Sequence, residues 1–152
     1  MKQEYGRSLI EIIAVLAIGA VMTAGAIAMY RSIRTNAVRT IATTEIENIA
    51  KNVKLLTGAR GTYEGVSVDY LVKSGALKSD AAPLGSDDWS VESSYDGASF
   101  SINLHGLTSG ECAYFQTKQP KWASAILING NEIDGTSHCF STKTNMVSFI
   151  VE

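Results

Sequence analysis

One uncharged run, Ile12 to Tyr30, constrains this 152-residue chain more than any other feature. With Leu9 and Ile10 it reaches the ~20 apolar residues that a helix needs to cross a bilayer. Glu11 sits just inside its edge, four residues after Arg7. A carboxylate within a membrane helix costs about 2.5–3.5 kcal/mol at the centre and less near an end. Glu11 therefore needs a partner. One solution is an i,i+4 pair with Arg7 at the end of an ordinary anchor. No small-residue cleavage site follows the run, so the segment does not read as a removed secretory peptide.

A second solution comes from resemblance. Gly6-Arg7-Ser8-Leu9-Ile10-Glu11 followed by an apolar helix resembles the class III signal of type IV pilins. The resemblance implies that a prepilin peptidase cuts between Gly6 and Arg7, methylates the new amine and leaves the apolar segment in place. It implies that Glu11, fifth after the cut, serves filament assembly by pairing with the amine of Arg7 on a neighbouring subunit. The family usually carries Phe, Met or Leu directly after the cut, where this chain has Arg7. Type IVa pilins usually carry a helix-bending Pro within the apolar helix, where this chain has Ala28.

The helix continues past Tyr30. No Pro or Gly occurs from Ala26 to Thr57, and apolar residues recur at Ile33, Ala37, Val38, Ile41, Ala42, Ile46, Ile49, Ala50, Val53 and Leu56. That is helical spacing with a one-sided stripe. The opposite face carries Arg34, Arg39, Glu45, Asn48, Lys51 and Asn52, with Glu47 and Lys51 at a favourable i,i+4 spacing. A helix from about Leu9 to Leu56 is expected, stopping at Gly58. No strict heptad is kept, which argues against a coiled-coil stalk. In the first half Ala20, Ala24 and Ala28 form a small-residue stripe that permits close helix approach. Gly19 and Gly25 are its expected weak points.

Beyond Leu56 the chain is rich in Gly, Ser, Thr, Asn and Asp, as expected of a loop-rich domain with a small core. A short helix from Ser67 to Leu77 is expected, with Ser67 as N-cap and Val68, Leu71 and Val72 inward. Ser79 to Asp88, with Pro83 and Gly85, reads as a connector. Strands follow at Trp89–Val91 and Phe100–Leu104 around a Tyr95-Asp96-Gly97 turn. Thr108 and Glu111 form a capping-box pattern, so a second short helix should bury Cys112 and Phe115. Trp122 to Ile128 reads as a strand, Asn129-Gly130 as a type I′ turn, and Asn145 to Val151 as a last strand with Val147, Phe149 and Val151 on one face. The expected class is α+β, a long helix on a small antiparallel sheet, and the resemblance makes it a pilin fold. The expected divisions are a leader at 1–6, a membrane and assembly half of the helix at 7–30, its amphipathic half at 31–56, and a globular domain at 57–152.

The carboxyl-terminal half adds to the resemblance. Gly106-Leu107-Thr108, Cys112 in the following helix and Cys139 before the final strand resemble the corresponding region of type IVb pilins, although the leader Met1 to Gly6 is shorter than theirs. Cys112 and Cys139 fit free core thiols, a metal pair or a disulfide. No C-x-x-C occurs and only His105 and His138 could complete a zinc site, so metal is disfavoured. In an extracytoplasmic domain a disulfide bounding 112–139 is the default. Arg31, Arg34 and Arg39 follow the span while Lys2 and Arg7 precede it, so charge does not favour the amino end inside. The motif and the cysteine pair nonetheless argue for a carboxyl-terminal domain outside.

Chemistry is sparse. There is no His-Glu-x-x-His, Gly-x-Ser-x-Gly or phosphate loop, so neither an enzyme nor a cofactor is expected. Asp87, Asp88, Asp96 and Asp134 lie in loops without EF-hand spacing and read as solvated turn residues rather than calcium ligands. A net charge of -2 gives no electrostatic case for nucleic acid. The partners implied by the resemblance are identical subunits, the prepilin peptidase, the inner membrane before assembly and the pilus assembly machinery. The extracellular filament would then serve adhesion, motility or DNA transfer. A secretion pseudopilin or minor pilin stays within the same family, whereas a monomeric membrane-tethered binding domain is the rival from outside it.

Overall fold

A computed structural model describes residues 2–134 and 137–152, with side chains from Ser8 onward and again excepting 135–136. The expected cleavage position between Gly6 and Arg7, and any Arg7–Glu11 pair, lie outside the described side chains. The element order is α1 (Lys2–Gly58), α2 (Val68–Lys73), β1 (Ser90–Ser93), β2 (Phe100–Leu107), α3 (Ser109–Thr117), β3 (Ala125–Ile128), β4 (Asn131–Glu132) and β5 (Asn145–Val151). The chain is α+β, as expected from the sequence. It divides into two compact units, residues 1–38 and 39–152.

The described residues of the first unit, 2–38, are all helix. The second is built on an antiparallel sheet of order β1-β2-β5-β3-β4. Period-2 alternation puts one apolar row on one face. Val91 pairs with Ile102, Ile102 and Ile126 with Phe149, and Leu104 and Ile128 with Val147. All of these are buried, and they share one core with Ala42, Ile46, Ile49, Ala50 and Val53 of α1. Cross-strand neighbours of this kind are the unit of sheet stabilisation, and each fully buried Leu, Ile, Val or Phe contributes about 1.5–3 kcal/mol relative to exposure. The α3 helix closes the sheet beside Phe149, with Phe115 edge-on at 5.2 Å between ring centroids.

Local chemistry fixes the boundaries. The capping box is complete: Glu111 N–H donates to the Thr108 hydroxyl, and the Glu111 carboxylate accepts from the Thr108 backbone. The last turn of α1 is held by Thr57, whose hydroxyl donates to the Val53 carbonyl at 2.6 Å. Gly61, at φ 71°, then turns the chain away. Asn129 and Gly130 both take positive φ, 50° and 83°, as the β3–β4 turn requires.

Several expectations are corrected. The first helix begins at Lys2 rather than near Leu9, because Lys2, Gln3 and Glu4 are helix formers. The α2 helix ends at Lys73 rather than Leu77; Leu71 is buried within it, but Val68 and Val72 are only half-buried. The β2 strand runs on to Leu107, because a register shift after Leu104, with Gly106 at φ 66°, turns Leu107 back inward. Trp89 and Trp122 precede their strands instead of opening them. Trp89 donates from Nε1 to the Asp80 carbonyl, and Trp122 lies against Phe149. The two-residue strand β4 was not expected.

Candidate functional site

The sequence-expected site lies in the first unit. Every described side chain there, Ser8 to Val38, is exposed on the chain itself. Leu9, Ile10, Val15, Leu16, Val21, Met22 and Met29 are each more than three-fifths exposed. Helix α1 is long and apolar enough to cross a membrane, and none of its most apolar stretch is buried against the rest of the chain. An apolar surface of this extent is not stable in water and marks a surface that lipid or another protein covers. Backbone hydrogen bonds are satisfied within the helix, which lipid demands. The Thr23 hydroxyl follows suit, donating to the Gly19 carbonyl at 2.7 Å.

Glu11 is the only acid whose side chain is described in this unit. It sits in a shallow surface depression whose other walls are Ser8, Ile12, Val15 and Leu16. No described cation lies within ion-pair distance of it. Around it, three of the four flanking side chains are hydrocarbon and offer it nothing. The helix therefore presents one carboxylate on a greasy surface. Gly19 and Gly25 do not interrupt α1, and a Cβ at either would meet nothing within 4 Å, so the small-residue strip lies open.

In the second unit the apolar stripe of α1 is only partly covered. Ala42, Ile46, Ile49, Ala50 and Val53 are buried, whereas Ile41 remains 65% exposed. Two residues assigned to the solvent face pack instead. Arg39 stacks over the Tyr114 ring, 5.9 Å from its centroid, with a guanidinium nitrogen beside Gly110. Asn52 donates to the Ala76 carbonyl at 3.0 Å. Glu47 and Lys51 form the expected pair at 2.7 Å.

Cys112 and Cys139 are joined in a disulfide with a Cα–Cα distance of 5.9 Å. Cys112 is buried on α3, and Cys139 leads into a segment that one side chain organises. Asn145, fully buried at the head of β5, accepts from the Phe140 N–H at 2.6 Å and from Asn129 Nδ2 at 3.1 Å. Its own amide donates to the carbonyls of Leu107, Phe140 and Thr142. Sequence reading placed Asn145 only as a strand start. A lone Asn after a Thr carries no signal of such a role.

The loop acids behave as turn residues. The Ser94 hydroxyl and the Ala98 N–H, both donating to Asp96, hold its carboxyl below the usual carboxylate range. The Ser86 hydroxyl does the same for Asp88. His138 is exposed, and His105 is half-buried within β2. Among the described residues, no group of three His, Cys, Asp or Glu side chains could hold a metal ion. No protein-family model matches the chain, and no curated protein matches it either.

Proposed function

We propose that this chain is a structural subunit, a major pilin, of a type IV pilus or closely related filament, made as a membrane-inserted precursor. The observation that carries the reading is the exposed apolar half of α1 with one described carboxylate, Glu11, five residues beyond Gly6. An exposed span is stable in lipid. It leaves lipid without penalty only if identical spans replace the lipid around it, and head-to-tail packing of identical subunits generates open filaments. Apolar packing alone fixes no register. A Glu11 carboxylate paired with the amine that cleavage after Gly6 creates on a neighbour's Arg7 would supply one.

The long helix on a small antiparallel sheet is compatible with this role, and the disulfide suits a periplasmic domain before assembly and an extracellular one after it. Subunits recovered from filaments should lack Met1 to Gly6 by mass.

The discriminating experiment is Glu11→Val. For a monomeric tether the change removes a costly carboxylate, so insertion should be as good or better. In a filament it strands the neighbour's amine, and an unpartnered buried charge costs about 3–5 kcal/mol. The expected result is normal membrane level and normal oxidation, with sheared surface filament lost when no wild-type subunit is present. Normal filament yield would leave the tether reading ahead.

A further inference from the structure

The charge that follows the span is unusual in its sign. From Ile12 to Thr44 the chain carries Arg31, Arg34 and Arg39 and not one acid. Arg39 is occupied, stacked on Tyr114 within the second unit. Arg31 and Arg34 are different: both side chains are exposed, and neither lies within ion-pair distance of a described carboxylate. They stand at i,i+3 and so share a helix face. Tyr30, 64% exposed and at i,i+4 to Arg34, lies on the same side at the last position of the uncharged run.

This is the order a bilayer surface presents in reverse: hydrocarbon, then an interfacial layer that suits an amphipathic ring, then phosphates. Tyr favours the interface because its body is apolar and its hydroxyl is wet. A guanidinium one turn beyond reaches a phosphate with a planar, two-pronged donor set that no ammonium matches. We propose that Tyr30, Arg31 and Arg34 form a headgroup site that holds the phosphodiester of an anionic phospholipid where the helix leaves the membrane. The proposal rests on the membrane-inserted reading of α1 and adds a lipid class to it. It also gives a reason for the positive charge downstream of the span, where the topology favoured above does not call for it. Two arginines clamped to anionic lipid hold the precursor at fixed depth, and entry into a filament requires their release.

The test uses the full chain reconstituted into vesicles of phosphatidylcholine containing a small fraction of spin-labelled phosphatidylglycerol or spin-labelled phosphatidylcholine. The readout is the ratio of the two lipids' motionally restricted fractions. A basic residue at the surface favours anionic lipid by roughly five-fold, so a preference of several-fold is expected in low salt, weakening in high salt. Arg31→Gln with Arg34→Gln should bring the ratio close to one. Lys54→Gln with Lys78→Gln removes the same charge from exposed positions elsewhere and should leave it unchanged. Incorporation of the wild type with no preference, or an equal loss in both double variants, would overturn the headgroup site alone. Failure to resist carbonate extraction from either vesicle would overturn the membrane reading and this site with it.

Discussion

Replacing Asn145 with Asp tests the internal logic of the carboxyl-terminal unit with one atom. The side-chain amide donates to three carbonyls, and its oxygen accepts from the Phe140 N–H and Asn129 Nδ2. Asn145→Asp keeps the accepting oxygen and turns the donor into a second oxygen facing the carbonyls of Leu107, Phe140 and Thr142. All three donated contacts are lost with the amide's two N–H groups, at about 1 kcal/mol for each N–H, the buried Leu107 carbonyl loses a partner, and a charge is buried against dipoles of the wrong sign. The two retained donors offset part of this. The expected cost at pH 7 is about 4 kcal/mol.

The sign of its pH dependence follows. Burial and the facing carbonyls raise the folded-state pKa of the new carboxyl above its unfolded value near 4. Protonation restores one donor, so the variant's relative stability is fully present below the unfolded value and is lost as pH rises through the folded one. The gap to wild type should therefore be about 2 kcal/mol at pH 4 and widen toward pH 7. Asn145→Ala, which cannot titrate, should show a flat gap of about 2–3 kcal/mol. The assay is urea unfolding of the full chain in detergent micelles, followed by fluorescence of Trp89, which is buried, and Trp122, which lies against Phe149. A gap for Asn145→Asp below about 1 kcal/mol at pH 7, or one identical at both pH values, would refute the reasoning.

Three further outcomes are expected. Cys112→Ala with Cys139→Ala opens a loop of 27 residues' separation and should cost about 3.5 kcal/mol by chain entropy, read as a fall in the urea midpoint. Gly85→Ala places a Cβ 2.1 Å from the His105 carbonyl oxygen at φ 87°, so it should cost ~3 kcal/mol or more, whereas Gly75→Ala, at φ 77° in open space, should cost only ~1–2 kcal/mol of backbone strain in the same unfolding assay. Asp96 has a depressed pKa, so its contribution is present above the unfolded value near pH 4 and fades as pH falls through the folded value. Asp96→Asn should remove that acid-side dependence in unfolding measured from pH 5 to pH 2.

Much of the fold was legible where a pattern has a single physical cause. The alternation in Val147, Phe149 and Val151 defined β5 to the residue, and Thr108 with Glu111 announced the start of α3. Legibility failed where tertiary packing decides. Ile33, Val38 and Ile41 belong to the same helical stripe as Ile46 and Val53, yet the first three stay exposed and the last two are buried. Periodicity reports that a face is apolar, not what covers it. Arg39 and Asn52 looked solvated because their partners, Tyr114 and the Ala76 carbonyl, are distant in sequence. The extension of β2 hid behind Gly106, which reads as a strand end until the bulge is seen. At the candidate site, the exposed span and the Glu11 spacing were readable. The freedom of Arg31 and Arg34 was not, since it depends on what the folded chain leaves within reach.

The strand order β1-β2-β5-β3-β4 sets the sequence of events during folding. The β1–β2 and β3–β4 pairs are local hairpins that can close as soon as their residues emerge from synthesis or translocation. Neither can join the other, because β5 lies between β2 and β3 and is the last of the five to appear. Until residues 145–151 arrive, β2 and β3 each expose an unpaired edge, and two-stranded ribbons of this size are marginal alone. The long-range pairing that unites them is the slow kind. A chain interrupted before Asn145 is therefore not a slightly smaller version of this domain but two open templates for aggregation. The cell's interval of greatest risk is the wait for those seven residues.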